Sequence, residues 1–192
     1  ERAVPTYGTR YEASRPDQLT LTLLDADGTI RQIDGGPWVA FSAYSDYNAA
    51  IGAQVNTYGY DSDVSVSNSG DIYAGVYQGD ADGLIVRSNG DYSDLDVSSS
   101  GSITVYSYGG DAVGIVATVG GYDSNIYVNN SGSIDATSVY GYAYGITAAN
   151  DGDGGDITIY NSGAITVSGY YDSQGIEVYN NSDGDVTIVT TG

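Results

Sequence analysis

The sequence repeats every 31 residues, and that fixed period limits what the chain can fold into more than any other feature. Asn-Ser-Gly or a near variant occurs at Asn68-Ser69-Gly70, Ser99-Ser100-Gly101, Asn130-Ser131-Gly132 and Asn161-Ser162-Gly163, so the glycines fall 31 residues apart each time. Ile follows two positions later (Ile72, Ile103, Ile134, Ile165), and a small or branched apolar residue two after that (Ala74, Val105, Ala136, Val167). Mid-unit there is an Ala-x-Gly-apolar element at Ala81-Gly83-Leu84, Ala112-Gly114-Ile115 and Ala143-Gly145-Ile146. An alternating pair comes late in the unit: Val64/Val66, Leu95/Val97, Ile126/Val128, Ile157/Ile159. The final unit is about two residues shorter, with Val186/Ile188 in that place, and a weaker early unit begins near Val39 and contains Ala50-Ile51-Gly52.

Apolar residues at i and i+2 mark a strand with one buried face. Three such segments per unit predict a triangular coil. Stacked coils then pair each strand in parallel with its equivalent in the next coil, about 4.8 Å away. One coil cannot bury its apolar faces, whereas a stack buries them all. The expected fold is all-β: a three-sided parallel β-helix (β-solenoid) of about five 31-residue coils. Composition agrees, with 28 Gly and only 3 Pro in 192 residues, which suits many tight turns between short strands. No segment shows the 3.6-residue period of an amphipathic helix. Asn-Ser-Gly after a strand reads as turn chemistry tolerant of left-handed backbone. Asn68, Gly70, Gly101, Asn130, Gly132, Asn161 and Gly163 are thus the expected repeat turns, with the asparagines stacked in an amide ladder that Ser99 interrupts.

The strings Asn-Ser-Gly-Ser-Ile (130–134), Gly-Tyr-Ala-Tyr-Gly-Ile (141–146) and Gly-Asp-Ile-Thr-Ile-Tyr-Asn-Ser-Gly (155–163) resemble the repeats of bacterial autotransporter passengers and related β-solenoid surface proteins. The resemblance covers roughly residues 39–192. It implies a right-handed coil and export across an outer membrane. The C-terminal translocator barrel of that family, with its longer alternating strands and aromatic girdles, has no counterpart in the sequence.

Residues 1–38 are different. Leu19, Leu21 and Leu23 alternate with Thr, Asp25-Ala-Asp-Gly28 reads as a turn, and Thr29–Ile33 reads as a second strand, which predicts a β-hairpin. The segment carries Arg2, Arg10, Arg15 and Arg31 against six acids, a net charge of about −2. Residues 39–192 hold 19 acids against Arg87 alone, about −18 of the total −20. The expected organisation is an N-terminal arm and hairpin (1–38) on an acidic repeat body (39–192). The arm either caps its own first coil or docks on the last coil of a neighbour. The second arrangement joins copies head to tail through Arg2, Arg10, Arg15, Leu19, Leu21, Leu23 and Arg31. A contact of that kind that does not close on itself builds a fibre.

The sequence has no Cys, Met, His or Lys, which removes disulfides, thiolate metal sites and His, Cys or Lys catalysis. Its acidity argues against nucleic acid and anionic membranes, which require clustered cations. No stretch approaches the roughly 18 apolar residues of a membrane span. The acids recur with the repeat (Asp63, Asp94, Asp156, with Asn125 between), a pattern of turns rather than of a unique active site. Asp151, Asp153 and Asp156 form the densest acidic run and are candidate calcium ligands. The 20 tyrosines fall partly in register. Tyr47, Tyr77, Tyr108, Tyr140 and Tyr170 form one expected column and Tyr60, Tyr92 and Tyr122 a second, suited to ring stacking or to contact with glycan rings. The reading is a non-enzymatic extracellular structural protein assembling with itself. Its alternatives are an adhesin that binds glycans or matrix surfaces and, third, a polysaccharide-active enzyme.

Overall fold

The computed structural model of the chain describes residues 49–192 except 59, 62 and 182, together with the backbone of 10–13, 22–24, 30–32 and 41–45. In chain order the described strands are β1 (Arg10–Ala13), β2 (Thr22–Leu24), β3 (Ile30–Gln32), β4 (Phe41–Ser45), β5 (Ala50–Thr57), β6 (Val64–Asn68), β7 (Ile72–Val76), β8 (Ala81–Ser88), β9 (Leu95–Ser99), β10 (Ile103–Ser107), β11 (Ala112–Val119), β12 (Ile126–Asn130), β13 (Ile134–Ser138), β14 (Ala143–Asn150), β15 (Ile157–Asn161), β16 (Ile165–Ser168), β17 (Ser173–Asn180) and β18 (Val186–Thr190). No helix occurs among the described residues.

Three parallel sheets form the sides of a solenoid. The first face runs β4-β7-β10-β13-β16, the second β1-β5-β8-β11-β14-β17 and the third β6-β9-β12-β15-β18. Pairing follows the sequence frame: Ile103 lies between Ile72 and Ile134 on the first face, and Val97 between Val66 and Val128 on the third. The turn count differs slightly from the expected five. Four 31-residue steps lead from Phe41 through Ile72, Ile103 and Ile134 to Ile165, so the chain makes about four turns. Parallel crossovers take the right hand.

The core is a stack of the frame's apolar positions. Ile103 and Ile134 from the first face, Ile115 and Ile146 from the second, and Ile126 and Ile157 from the third are all essentially inaccessible to solvent. Each such side chain contributes about 1.5–3 kcal/mol on leaving water. Strands on the first and third faces bury alternate residues, as in β9 and β12. The second face departs from simple alternation. In β11 and β14 the buried positions are the first, third, fourth, sixth and eighth, so the pleat breaks at the glycine of the Ala-x-Gly-apolar element. That glycine is left out of the β11–β14 register, which passes from Val113↔Tyr144 to Ile115↔Ile146.

The reason for glycine there is space. A Cβ on Gly114 would overlap Cγ2 of Ile134 and stand 2.5 Å from the carbonyl oxygen of Gly145. Gly83 meets Ile103 and Gly145 meets Ile165 in the same way. The Ile of each first-face strand therefore packs into the notch left by the glycine of the preceding coil.

The arm contributes β1, which runs parallel to β5 with Arg10↔Gln54 and Ala13↔Thr57. This extends the chain's own second face by one strand. β2 and β3 form the expected antiparallel hairpin, with Leu23 opposite Arg31. Of the arm residues singled out above, Arg2, Arg15, Leu19 and Leu21 lie outside the described residues, and Arg10, Leu23 and Arg31 are described in backbone alone.

The notch gives a matched test. Gly175 occupies the same frame position in the last coil, but an added Cβ would meet only Ile165 Cγ2, at an ordinary 3.8 Å. Gly114→Ala is expected to destabilise by about 1–3 kcal/mol through overpacking, and Gly175→Ala to be neutral within about 0.5 kcal/mol. Urea unfolding of the two variants beside the parent checks this, and equal effects at both sites would overturn the steric account.

Candidate functional site

The three corners between the faces hold the recurring polar and aromatic residues. The corner from third face to first is an amide post. Asn68, Asn130 and Asn161 end their strands with side chains turned inward and nearly fully buried. Each donates from Nδ2 to the carbonyl of the turn glycine two residues on: Gly70 at 3.0 Å, Gly132 at 2.9 Å and Gly163 at 2.8 Å. Two of the three also reach the next coil: Asn68 Nδ2 donates to Ser99 Oγ at 3.3 Å, and Asn130 Nδ2 to Asn161 Oδ1 at 2.8 Å. The ladder breaks where Ser99 stands. Its hydroxyl does not extend to Asn130, whose Oδ1 is left buried and unpaired.

These glycines are not the left-handed residues the turn chemistry suggested. Positive φ among the described non-glycine residues falls at Asp61, Tyr92 and Asp123, with Gly154 in the same frame position, all in the corner from second face to third. Gly101, Gly132 and Gly163 are needed for close stacking instead, since a Cβ on each would overlap the carbonyl of the turn glycine one coil earlier.

The corner from first face to second is aromatic and acidic. Tyr77 and Tyr108 stack at 4.7 Å with rings 6° from parallel. Tyr108 meets Tyr140 edge-on at 5.1 Å, and Tyr140 meets Tyr170 at 6.0 Å. The structure thus brings four of the five expected members into one continuous column; Tyr47 lies outside the described residues. Tyr170 adds Tyr171 at 5.1 Å, and Tyr171 adds Tyr142 at 5.4 Å. The side chains are open to solvent, at 49% for Tyr77, 51% for Tyr140 and 66% for Tyr170. The second column also forms, Tyr60 to Tyr92 at 5.4 Å and Tyr92 to Tyr122 at 5.7 Å. Hydrogen bonding to Tyr140 raises the Tyr108 phenol above its ordinary value, and hydrogen bonding to Glu177 does the same for Tyr179.

The acids are spent on the backbone. Asp63 Oδ1 accepts the amide of Asp94 (3.0 Å), Asp94 Oδ1 that of Asn125 (2.9 Å), Asn125 Oδ1 that of Asp156 (2.8 Å), and Asp156 Oδ1 that of Asp185 (2.8 Å). A second file runs from Asp80 to the amide of Asp111 and from Asp111 to that of Tyr142, both at 2.9 Å. The members of the Asp151–Asp156 run have separate partners. Asp151 accepts from the side chain of Asn181 at 3.2 Å, the Asp153 carbonyl accepts the Asp123 amide, and Asp156 belongs to the first file. No group of three acids placed to hold a metal ion occurs among the described residues. An open depression of about 360 Å³ lies over Asp63, Asp94 and Asn125 on the third face, lined by that same file.

Sequence reasoning missed the buried serine posts. Ser107 Oγ donates to the Gly79 carbonyl at 2.8 Å and accepts the Gly110 amide at 2.9 Å, and Ser138 repeats this with Gly110 and Gly141 at 2.6 and 2.7 Å. Their 31-residue spacing was the available signal. Asp82 is visible in the sequence as part of the short acidic cluster Asp80-Ala-Asp82, but its burial is not. It sits on β8 between Ile51 and Val113, and burial, with Asp80 and Asp111 nearby, raises its carboxyl to about 6 against the opposing pull of Arg87.

Two predictions follow from these columns. Ser99→Asn supplies a donor for the orphaned Asn130 Oδ1 and an acceptor for Asn68, and is expected to stabilise by about 1–2 kcal/mol; an unchanged or lower urea midpoint would show that the post has no room for the amide. Asp82 has a raised folded pKa, so its stabilising share is present below about pH 4 and is lost as pH rises through about 6. Asp82→Asn should therefore stabilise by about 1–3 kcal/mol at pH 8 and by nothing measurable at pH 3.5. A gain of equal size at both pH values would sink the titration account. Comparison of the chain with protein-family models, curated protein sequences and solved structures finds no match in any of the three.

Proposed function

We propose that the chain is an extracellular structural protein, a segment or subunit of a surface filament or matrix fibre that stacks head to tail. The observation that carries this reading is the regularity of the stack: all three sheets are parallel throughout and keep one register from coil to coil, so a further copy can extend the same strand pairing end to end. Strand edges of this kind are templates for pairing. A head-to-tail contact that does not close gives a fibre rather than a ring. The near-neutral arm and the strongly acidic body favour end-on contact over side-on association of like-charged bodies. The resemblance of the repeats to autotransporter passengers supports a cell-surface setting.

The exposed tyrosine column favours a second reading, an adhesin in which the rings Tyr77, Tyr108, Tyr140 and Tyr170 stack on sugars. Glycan-array binding that is lost on Tyr→Ala substitution in the column would favour it over the first.

Negative-stain electron microscopy of the full chain beside a version lacking residues 1–37 tests the fibre reading. Fibres are expected from the full chain and only short particles from the truncated one. Monodisperse short particles from the full chain at all concentrations would overturn the proposal.

A further inference from the structure

We infer that the tyrosine column at the corner between the first and second faces is a site of oxidative crosslinking, in which o,o′-dityrosine bonds join successive coils of the same chain. Three observations carry this. The rings follow one another at 4.7, 5.1 and 6.0 Å from Tyr77 through Tyr108 and Tyr140 to Tyr170, so every ring has a coupling partner one coil away. The column faces solvent, with Tyr77, Tyr140 and Tyr170 about half exposed or more, so an oxidant reaches it. The chain also lacks the side chains that normally intercept oxidants: it has no Cys, Met or His and a single Trp, against 20 Tyr. One-electron oxidation therefore falls on tyrosine.

The oxidant is a peroxide delivered by a haem peroxidase, and the step balances. Each of two phenols loses one electron and one proton, leaving a phenoxyl radical with spin on the ring carbons ortho to oxygen. An ortho carbon of one ring bonds to an ortho carbon of the next. The hydrogen displaced from each of those carbons returns to its own phenol oxygen. The two electrons and two protons reduce one hydrogen peroxide to two waters. Tyr77 and Tyr108 are the leading pair, because their rings have the shortest centroid separation in the column, 4.7 Å, and lie 6° from parallel. The bond spans one coil. It closes a loop of 31 residues in the chain, as a disulfide does in a chain that has cysteine. This inference rests on the ring geometry and does not depend on whether copies assemble.

The test is peroxidase and hydrogen peroxide applied to the full chain at high dilution. The monomer fraction is then isolated by size exclusion, digested and mapped by mass spectrometry. Dityrosine fluorescence is expected in the monomer, with crosslinked peptides two hydrogens lighter than their sum at Tyr77–Tyr108 and Tyr140–Tyr170. These pairs should be at least tenfold enriched over the urea-unfolded chain treated in the same way, and the melting temperature should rise. Tyr108→Phe keeps the ring and removes the phenol. It should abolish crosslinks to Tyr77 and leave Tyr140–Tyr170 intact. Dityrosine confined to oligomers, or a pair distribution in the folded chain equal to that of the unfolded chain, would overturn the inference.

Discussion

Hydrogen bonding between backbone positions one coil apart is the constraint on which everything else depends. The amide of Ile72 reaches the carbonyl of Ser102, that of Ile103 the carbonyl of Ser133, and that of Ile134 the carbonyl of Ala164. Every buried donor and acceptor needs such a partner, so each coil must present the same backbone path as the one before. A one-residue slip on any face would turn its apolar set outward. This is why the period holds at 31 through the central coils and why the corners, rather than the strands, take up the specialised residues. Where the last unit runs short, one residue is lost in the turn at Gly169, Tyr170 and Tyr171 and a second between β17 and β18, so β14 still pairs with β17 and β15 with β18.

Stacking identical coils also stacks identical charges, and the structure shows how a net charge of −20 is carried. A carboxylate in either file accepts the backbone amide of its counterpart in the next coil. In the longest file the neutral Asn125 separates Asp94 from Asp156 and makes the same backbone contact without the charge, while its Nδ2 adds a bond to Asp94 at 2.9 Å. Asp82 shows the opposite case. It lies on a strand rather than at a corner, between apolar neighbours, and its carboxyl is pushed up to about 6. The acidity is thus tolerated at corners that offer amides and costs stability on a face that does not.

The period and the alternation made the fold legible, because both follow directly from backbone geometry. The amide ladder and its interruption at Ser99 were legible for the same reason. Two features were misread or missed because they depend on three-dimensional approach. The glycines of Asn-Ser-Gly were assigned to left-handed backbone, yet Gly101, Gly132 and Gly163 are required by the carbonyl stacked against them, and the left-handed position falls instead at Asp61, Tyr92 and Asp123. The notch at Gly83, Gly114 and Gly145 is filled by an Ile from another face, a contact that no single strand's pattern reveals. Ser107 and Ser138 carry no chemical signal in the sequence beyond their 31-residue register, yet their hydroxyls join two coils.

Repetition also explains why activity is harder to read than architecture. A residue that recurs in register is accounted for by the stack, since Asn130, Asp94 and Ser107 each have a partner that the period supplies. What distinguishes one coil from another is what breaks the register: Ser99 in the amide post, Asn125 in the acid file, Tyr142 where Asp80 and Asp111 stand, and the pair Tyr170 and Tyr171 at the shortened turn. Two of these four breaks concentrate rings at one end of the aromatic corner. Tyr171 there contacts both Tyr142 and Tyr170, with Tyr140 packed against Tyr170. Each ring pair adds about 0.5–1.5 kcal/mol to the stack, so the gathering stabilises the shortened turn, and because its rings face solvent it also leaves them open to contact.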